Sequence, residues 1–150
     1  MMTPLAAFLA LPRCDRRLLL RALTTLVGVR LALRIVPVDR LRRRVCRTRP
    51  YARPAERIAW AVRTASRGLP GTTCLVSALA AQRLLARDGH DCQLTIGVAR
   101  NERGLAAHAW VMCDGVTLVG GEESAGYTPL IAWSSDVSAR QPASTVRDRS

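Results

Sequence analysis

The chain has 150 residues, 49% of them hydrophobic, which is enough for one ordinary domain with its own core and too apolar for a disordered chain. Its net charge of +12 comes from 23 basic residues, all of them arginine, against 11 acids. The charge is uneven: residues 1–70 carry 16 arginines against Asp15, Asp39 and Glu56 (net +13), and residues 71–150 carry seven against eight acids (net −1). An arginine-only basic set reads as composition bias. A basic half attracts acidic partners, and its plainer reading is a solvated helical surface. Five cysteines (Cys14, Cys46, Cys74, Cys92, Cys113) form no CxxC pair, which argues against zinc and predicts free thiols in a reducing cytoplasm. The start MMTPLAAFLALPRC lacks a basic n-region, and Arg21, Arg30 and Arg34 cut the apolar stretch from Leu18 to Val36, so neither a signal peptide nor a membrane span is expected.

Residues 15–36 predict a helix capped by Asp15 and ended by Pro37. A very basic piece follows over 38–49, punctuated by Pro50 and Pro54. Residues 55–67 form another helix, with Ile58, Trp60, Ala61, Val62 and Ala65 available for burial. After the turn cluster Gly68-Leu69-Pro70-Gly71, Thr72 or Thr73 caps a helix from about Cys74 to Arg87. Leu75, Ala78, Leu79, Leu85 and Ala86 give it an apolar face, and Asp88-Gly89 stops it. The period then changes from helical to alternating. Leu94, Ile96 and Val98 mark a strand, residues 106–113 a second and 116–119 a third across an Asp114-Gly115 hairpin turn. Gly120-Gly121 breaks the chain before an extended piece over 127–133. The polar tail from Ser134 reads as frayed. The expected architecture is α+β: a basic helical region (1–70) packing on a core (71–133), then a tail (134–150).

A thiol attacks as thiolate, and a helix N-terminus or an adjacent histidine favours that form. Cys74 opens a helix, and His108 sits mid-strand in LAAHAWVM. Two readings stay open on this pattern alone: a nucleophile with its base, or a core cysteine and a satisfied buried histidine. Trp110 reads as core or cleft wall and Trp60 as helix core; His90, after Gly89, is expected at the surface.

The stretch PGTTCLVSALAAQRLLARDGHDCQLTIGVARNERGLAAHAWVMCDGVTLVGGEESAGYTPL resembles the leader peptidases of lasso-peptide biosynthesis. Members open a helix of the type CLxxALAxQRLL(A/R)RxG with a Cys, followed by an IGV strand and an AHAWV strand. The segments DRRLLLRALTTLVGVRLALRIVP and IAWAVRTASRGLPG extend the likeness over about residues 10–133. AHAWV alone points only to the wider transglutaminase-like superfamily. The resemblance implies a transglutaminase/papain-like core, a Cys-bearing helix on a small antiparallel sheet preceded by N-terminal helices. It implies a stand-alone cysteine peptidase that removes the leader from a precursor peptide before a separate cyclase closes the ring. It makes Cys74 the nucleophile and His108 the general base, with no cofactor or metal. The implied partners are the precursor, a small leader-recognition protein and the cyclase.

The family normally places an Asp, the third catalytic member, where this chain has Gly120. Asp114 lies six residues from His108, roughly 20 Å along a strand, and suits the turn better. If Cys113-Asp114-Gly115 forms a three-residue loop, position 120 faces His108 and Glu122 shares its side. Glu122 is then the expected third residue, or else a solvated loop acid. The Cys74 N–H is a plausible oxyanion donor, and Gln82 is too far along the helix. Amide transfer by the same thiol is an alternative reaction, and an impaired partner-binding module an alternative role. With 4% aromatic residues and no nucleic-acid motif, nucleic-acid binding is not expected.

Overall fold

Spacing of apolar residues sets the helical layer. The structure, a computed structural model, describes residues 8–42, 53–102 and 104–135, with Arg42, Glu122 and Glu123 described in their backbone only. Helix α1 (Arg13–Ala32) buries Leu18, Leu19, Ala22, Leu26 and Val29 along one face. It begins one turn's fraction earlier than expected, with Pro12 at the N-cap position, and turns out of helix before Pro37.

Asp15 is therefore not the cap. It is buried in the first turn, where Arg57 grips both carboxylate oxygens, one bond from Nε at 3.1 Å and the other from Nη2. A guanidinium from a neighbouring helix satisfies a buried carboxylate more fully than the helix end would. Arg57 also lies over the Trp60 ring, 5.1 Å from its centroid. Replacing Asp15 by Asn removes the charge from this fork. We expect a loss of about 1–3 kcal/mol and a melting temperature lower by several degrees, read by thermal denaturation.

Helix α2 (Val38–Arg42) adds Leu41 to the core. The rest of the basic piece, Cys46 included, lies outside the described residues, as does the tail from residue 136. Helix α3 (Ala55–Gly68) buries Ile58, Ala59, Ala61 and Val62, while Trp60 is half-buried.

Helix α4 (Cys74–Arg87) runs between two layers, with α1 and α3 on one side and the sheet on the other. Val76, Ala80, Ala81 and Leu84 are consequently buried in addition to Ala78, Leu79, Leu85 and Ala86, while Leu75 is only half-buried. Its alanines let both layers close on it. The end is a Schellman motif: the His90 N–H donates to the Leu85 carbonyl at 3.0 Å and the Gly89 N–H to that of Ala86 at 3.1 Å, with Gly89 at φ +87°. His90 is buried rather than exposed, because the motif turns it inward, where its Nε2 donates to the Arg53 carbonyl at 2.6 Å. Arg53 in turn pairs with Asp88 at 3.0 Å.

Strands β1 (Cys92–Asn101), β2 (Gly104–Cys113), β3 (Val116–Val119) and β4 (Thr128–Ser134) form one antiparallel sheet in the order β3-β2-β1-β4. A one-turn helix, α5 (Gly121–Ser124), interrupts the path from β3 to β4. Leu94, Ala109, Val111 and Cys113 join the core shared with the helices. His108 and Trp110, one residue out of phase, face the opposite side.

The β2–β3 register differs from the expected one. Asp114 (φ +49°) and Gly115 (φ +79°) form a two-residue loop of the I′ kind, so Cys113 pairs with Val116. A bulge then sets Val111 opposite Val119. Continued, that register brings position 120 opposite Trp110, not His108.

Candidate active site

Cys74 is half-buried at the first position of α4. Thr73 caps the helix, its Oγ1 accepting the Val76 N–H at 3.3 Å. The Ser77 N–H goes to the Thr73 carbonyl, which leaves the N–H groups of Cys74 and Leu75 without a partner among the described residues. The sulfur therefore sits beside open donors at the positive end of a 14-residue helix.

The approach to Cys74 is braced from the helical layer. Arg30 on α1 donates from Nη1 to the Pro70 carbonyl at 2.7 Å. Thr72 closes the turn through Oγ1 to the Leu69 carbonyl at 2.8 Å, and Ser66 on α3 meets Ser77 on α4 at 3.0 Å. Arg63 ties α3 to the sheet by donating to the Leu118 carbonyl at 2.7 Å. Sequence reasoning offered no signal for Arg30 or Arg63, since nothing separates them from the other arginines.

His108 is buried on β2, directly opposite Gly97 of β1. Its Nε2 lies 2.9 Å from the Gly120 carbonyl oxygen. Its ring stacks with that of Trp110 (6.1 Å, 23°) and meets Tyr127 at 5.2 Å. A Cβ on Gly97 would come within 2.8 Å of Trp110 Cη2 and of the Thr128 carbonyl oxygen. Glycine there is what lets the indole cross β1 and form the shelf beside the imidazole. Trp110 thus belongs to the site wall. Tyr127, expected only as the start of an extended piece, is a site residue that the sequence did not announce. It arrives from a segment 19 residues further on, by way of the turn through α5.

The Gly120 turn and α5 lie against β2 beside His108. Strand β3 pairs only with Val111, Met112 and Cys113, so the stretch holding His108 has no strand on that side among the described residues. Helix α4, opened by Cys74, packs on the same strand through the face of Ala109 and Val111, opposite to that of His108.

The remaining polar and thiol groups sort by environment. Gln82 is buried, and its Nε2 donates to the Trp133 carbonyl at 2.9 Å, linking α4 to β4 as a packing residue. Cys92 and Cys113 are buried and paired across β1 and β2; the hydrogen bond to Cys113 and burial push the Cys92 thiol up, so it stays protonated. Cys14 is exposed at the start of α1. Glu122 lies in α5, two residues after Gly120, and its side chain is outside the described residues. Among the described residues no helix is long and apolar enough to cross a membrane, and no group of three His, Cys, Asp or Glu residues is arranged to hold a metal ion.

A family model described as the transglutaminase-like superfamily matches residues 18–132. The chain belongs to the transglutaminase-like superfamily. The match runs from within α1 to β4, so the N-terminal helices and the sheet together make up this transglutaminase-like α+β domain. Members are commonly cysteine-dependent enzymes, peptidases and amide transferases among them. No curated protein and no solved structure matches the chain.

Proposed function

We propose that the chain is a cysteine peptidase that removes the leader from a lasso-peptide precursor. His108 takes the Cys74 proton, and the thiolate attacks the carbonyl carbon at the leader–core junction. The imidazolium returns the proton to the departing nitrogen. The core peptide leaves with a free amine, and the leader stays as a thioester on Cys74. Water, deprotonated by His108, then releases the leader as a carboxylic acid and restores the thiol. The open N–H groups of Cys74 and Leu75 serve the oxyanion. Glu122, two residues after Gly120 in the chain, is the proposed third catalytic residue.

The observation that carries this reading is the buried imidazole of His108, hydrogen-bonded to the Gly120 carbonyl, in a sheet that packs on the helix opened by Cys74. Superfamily membership supports the thiol chemistry, and the resemblance to leader peptidases supports the substrate. The test is incubation of a precursor peptide with the protein and a primary amine, followed by mass spectrometry. Cleavage that adds water supports the peptidase. A leader carrying the amine instead would move the chain to the amide transferases, and an intact precursor in the presence of the recognition protein would overturn the reading.

The basic half suits docking of the leader-bound recognition protein or the cyclase. Leu20, Leu23, Val27 and Leu31 form an exposed apolar stripe along α1, with Arg13 and Arg17 at one end and Arg34 just past the other. An apolar segment with acidic ends complements it. Reversing several arginines among Arg40, Arg43, Arg44, Arg47 and Arg49 to Glu should weaken capture of the recognition protein by tenfold or more and flatten its salt dependence. Val27→Asn should weaken capture while leaving the salt slope unchanged. Unaltered affinity and slope in both variants would refute docking through this half.

A further inference from the structure

The geometry points to the Gly120 main-chain carbonyl as the group that positions His108, in the place a carboxylate would otherwise take; this inference rests on His108 acting as the base. A carbonyl oxygen can only accept a hydrogen bond. At 2.9 Å from it, His108 Nε2 must carry the hydrogen. In the neutral ring the lone pair is then on Nδ1, so one tautomer is selected and Nδ1 is the atom that takes the thiol proton. The aromatic contacts fix the ring plane: Trp110 lies alongside it and Tyr127 is tilted against it.

Glycine is what brings the carbonyl to the ring. Gly120 has φ +77°, and a Cβ there would lie 2.6 Å from the Ala109 carbonyl oxygen and 3.1 Å from Trp110 Cβ. The chain after β3 passes so close over β2 that no side chain fits between them. The same bend turns the Gly120 C=O toward the imidazole and starts α5 at the next residue. The anionic orienter is thus replaced by a neutral dipole, held by a turn instead of by a rotamer. The tautomer assigned here is set by Gly120 and does not depend on Glu122.

The acceptor can be weakened without adding an atom. Semisynthesis with glycolic acid in place of Gly121 turns the 120–121 amide into an ester, whose carbonyl is a poorer acceptor. The Gly121 N–H lost in the process donates to no acceptor among the described residues. We expect kcat on the precursor to fall about tenfold with KM unchanged, the size of one hydrogen bond. The 15N shifts of the ring nitrogens give a readout that folding alone would not move. The protein has two histidines, and His108→Gln assigns the signals. The native protein should show His108 as the single Nε2–H tautomer, the ester a mixture. Cys74→Ala and Glu122→Gln should both keep the single tautomer. An Nδ1–H tautomer in the native protein, an unchanged kcat in the ester, or a mixture in Glu122→Gln would each overturn the assignment. Because the tautomer is read without substrate, it stands or falls separately from the peptidase reading.

Discussion

A Cys74→Ala variant is expected to lose about 10⁴-fold or more in kcat on the precursor while remaining folded. The sulfur is the atom that forms the acyl intermediate, and no other described thiol can substitute for it. Cys92 and Cys113 are buried on the sheet, with the Cys92 thiol held protonated, and Cys14 lies on the surface at the far end of α1 from the Arg30 contact with the Cys74 loop. The structural cost should be small, below about 1 kcal/mol, because the residue is half-buried and the cap is provided by Thr73. Cleavage followed by mass spectrometry, together with a thermal melt, checks both halves. A Cys14→Ala control should process normally. Undiminished cleavage by Cys74→Ala would sink the peptidase reading and leave a partner-binding module in its place.

The second expectation runs against intuition: installing the carboxylate that the family resemblance places at position 120 should damage the protein. Gly120→Asp meets the Ala109 carbonyl oxygen at 2.6 Å from its Cβ, a contact with backbone that no rotamer relieves. Asp enters the left-handed region more readily than most residues, so this steric contact is the larger part of the cost. Strain and overpacking together should remove roughly 2–5 kcal/mol. The displaced turn withdraws the carbonyl from His108, and a misplacement near 1 Å costs on the order of 10² in kcat. Chemical denaturation and precursor turnover read the two effects. A Gly120→Asp protein that is as stable as the parent and turns over faster would show that the turn can be rebuilt around a carboxylate, and that Gly120 is not the device we take it for.

Much of this site was legible in the sequence because its parts are local. Thr73 as a cap, Cys74 as a helix start, Asp88-Gly89 as a stop and the change of period after residue 91 each depend on a few neighbouring residues, and the structure has all of them. The register of β3 was not legible. Asp114-Gly115 is compatible with two loop lengths, and the bulge at Val111/Met112 is a property of how two strands pair, which neither strand's own residues announce. Asp15 looked like a cap because the residue that claims it is 42 positions away. His90 looked exposed because Gly89 usually precedes surface turns, and its acceptor, Arg53, is equally remote.

The pair Cys74 and His108 shows the same division. That a cysteine would open a helix and a histidine would lie on a strand of an antiparallel sheet was readable in single segments, since capping and alternation are local properties. What holds the histidine depends on the folded chain: Trp110 across the gap left by Gly97, Tyr127 from beyond α5, and the carbonyl of Gly120 where a side chain was expected. A main-chain acceptor has no letter of its own. It becomes visible only when the fold brings the backbone of one segment against the side chain of another.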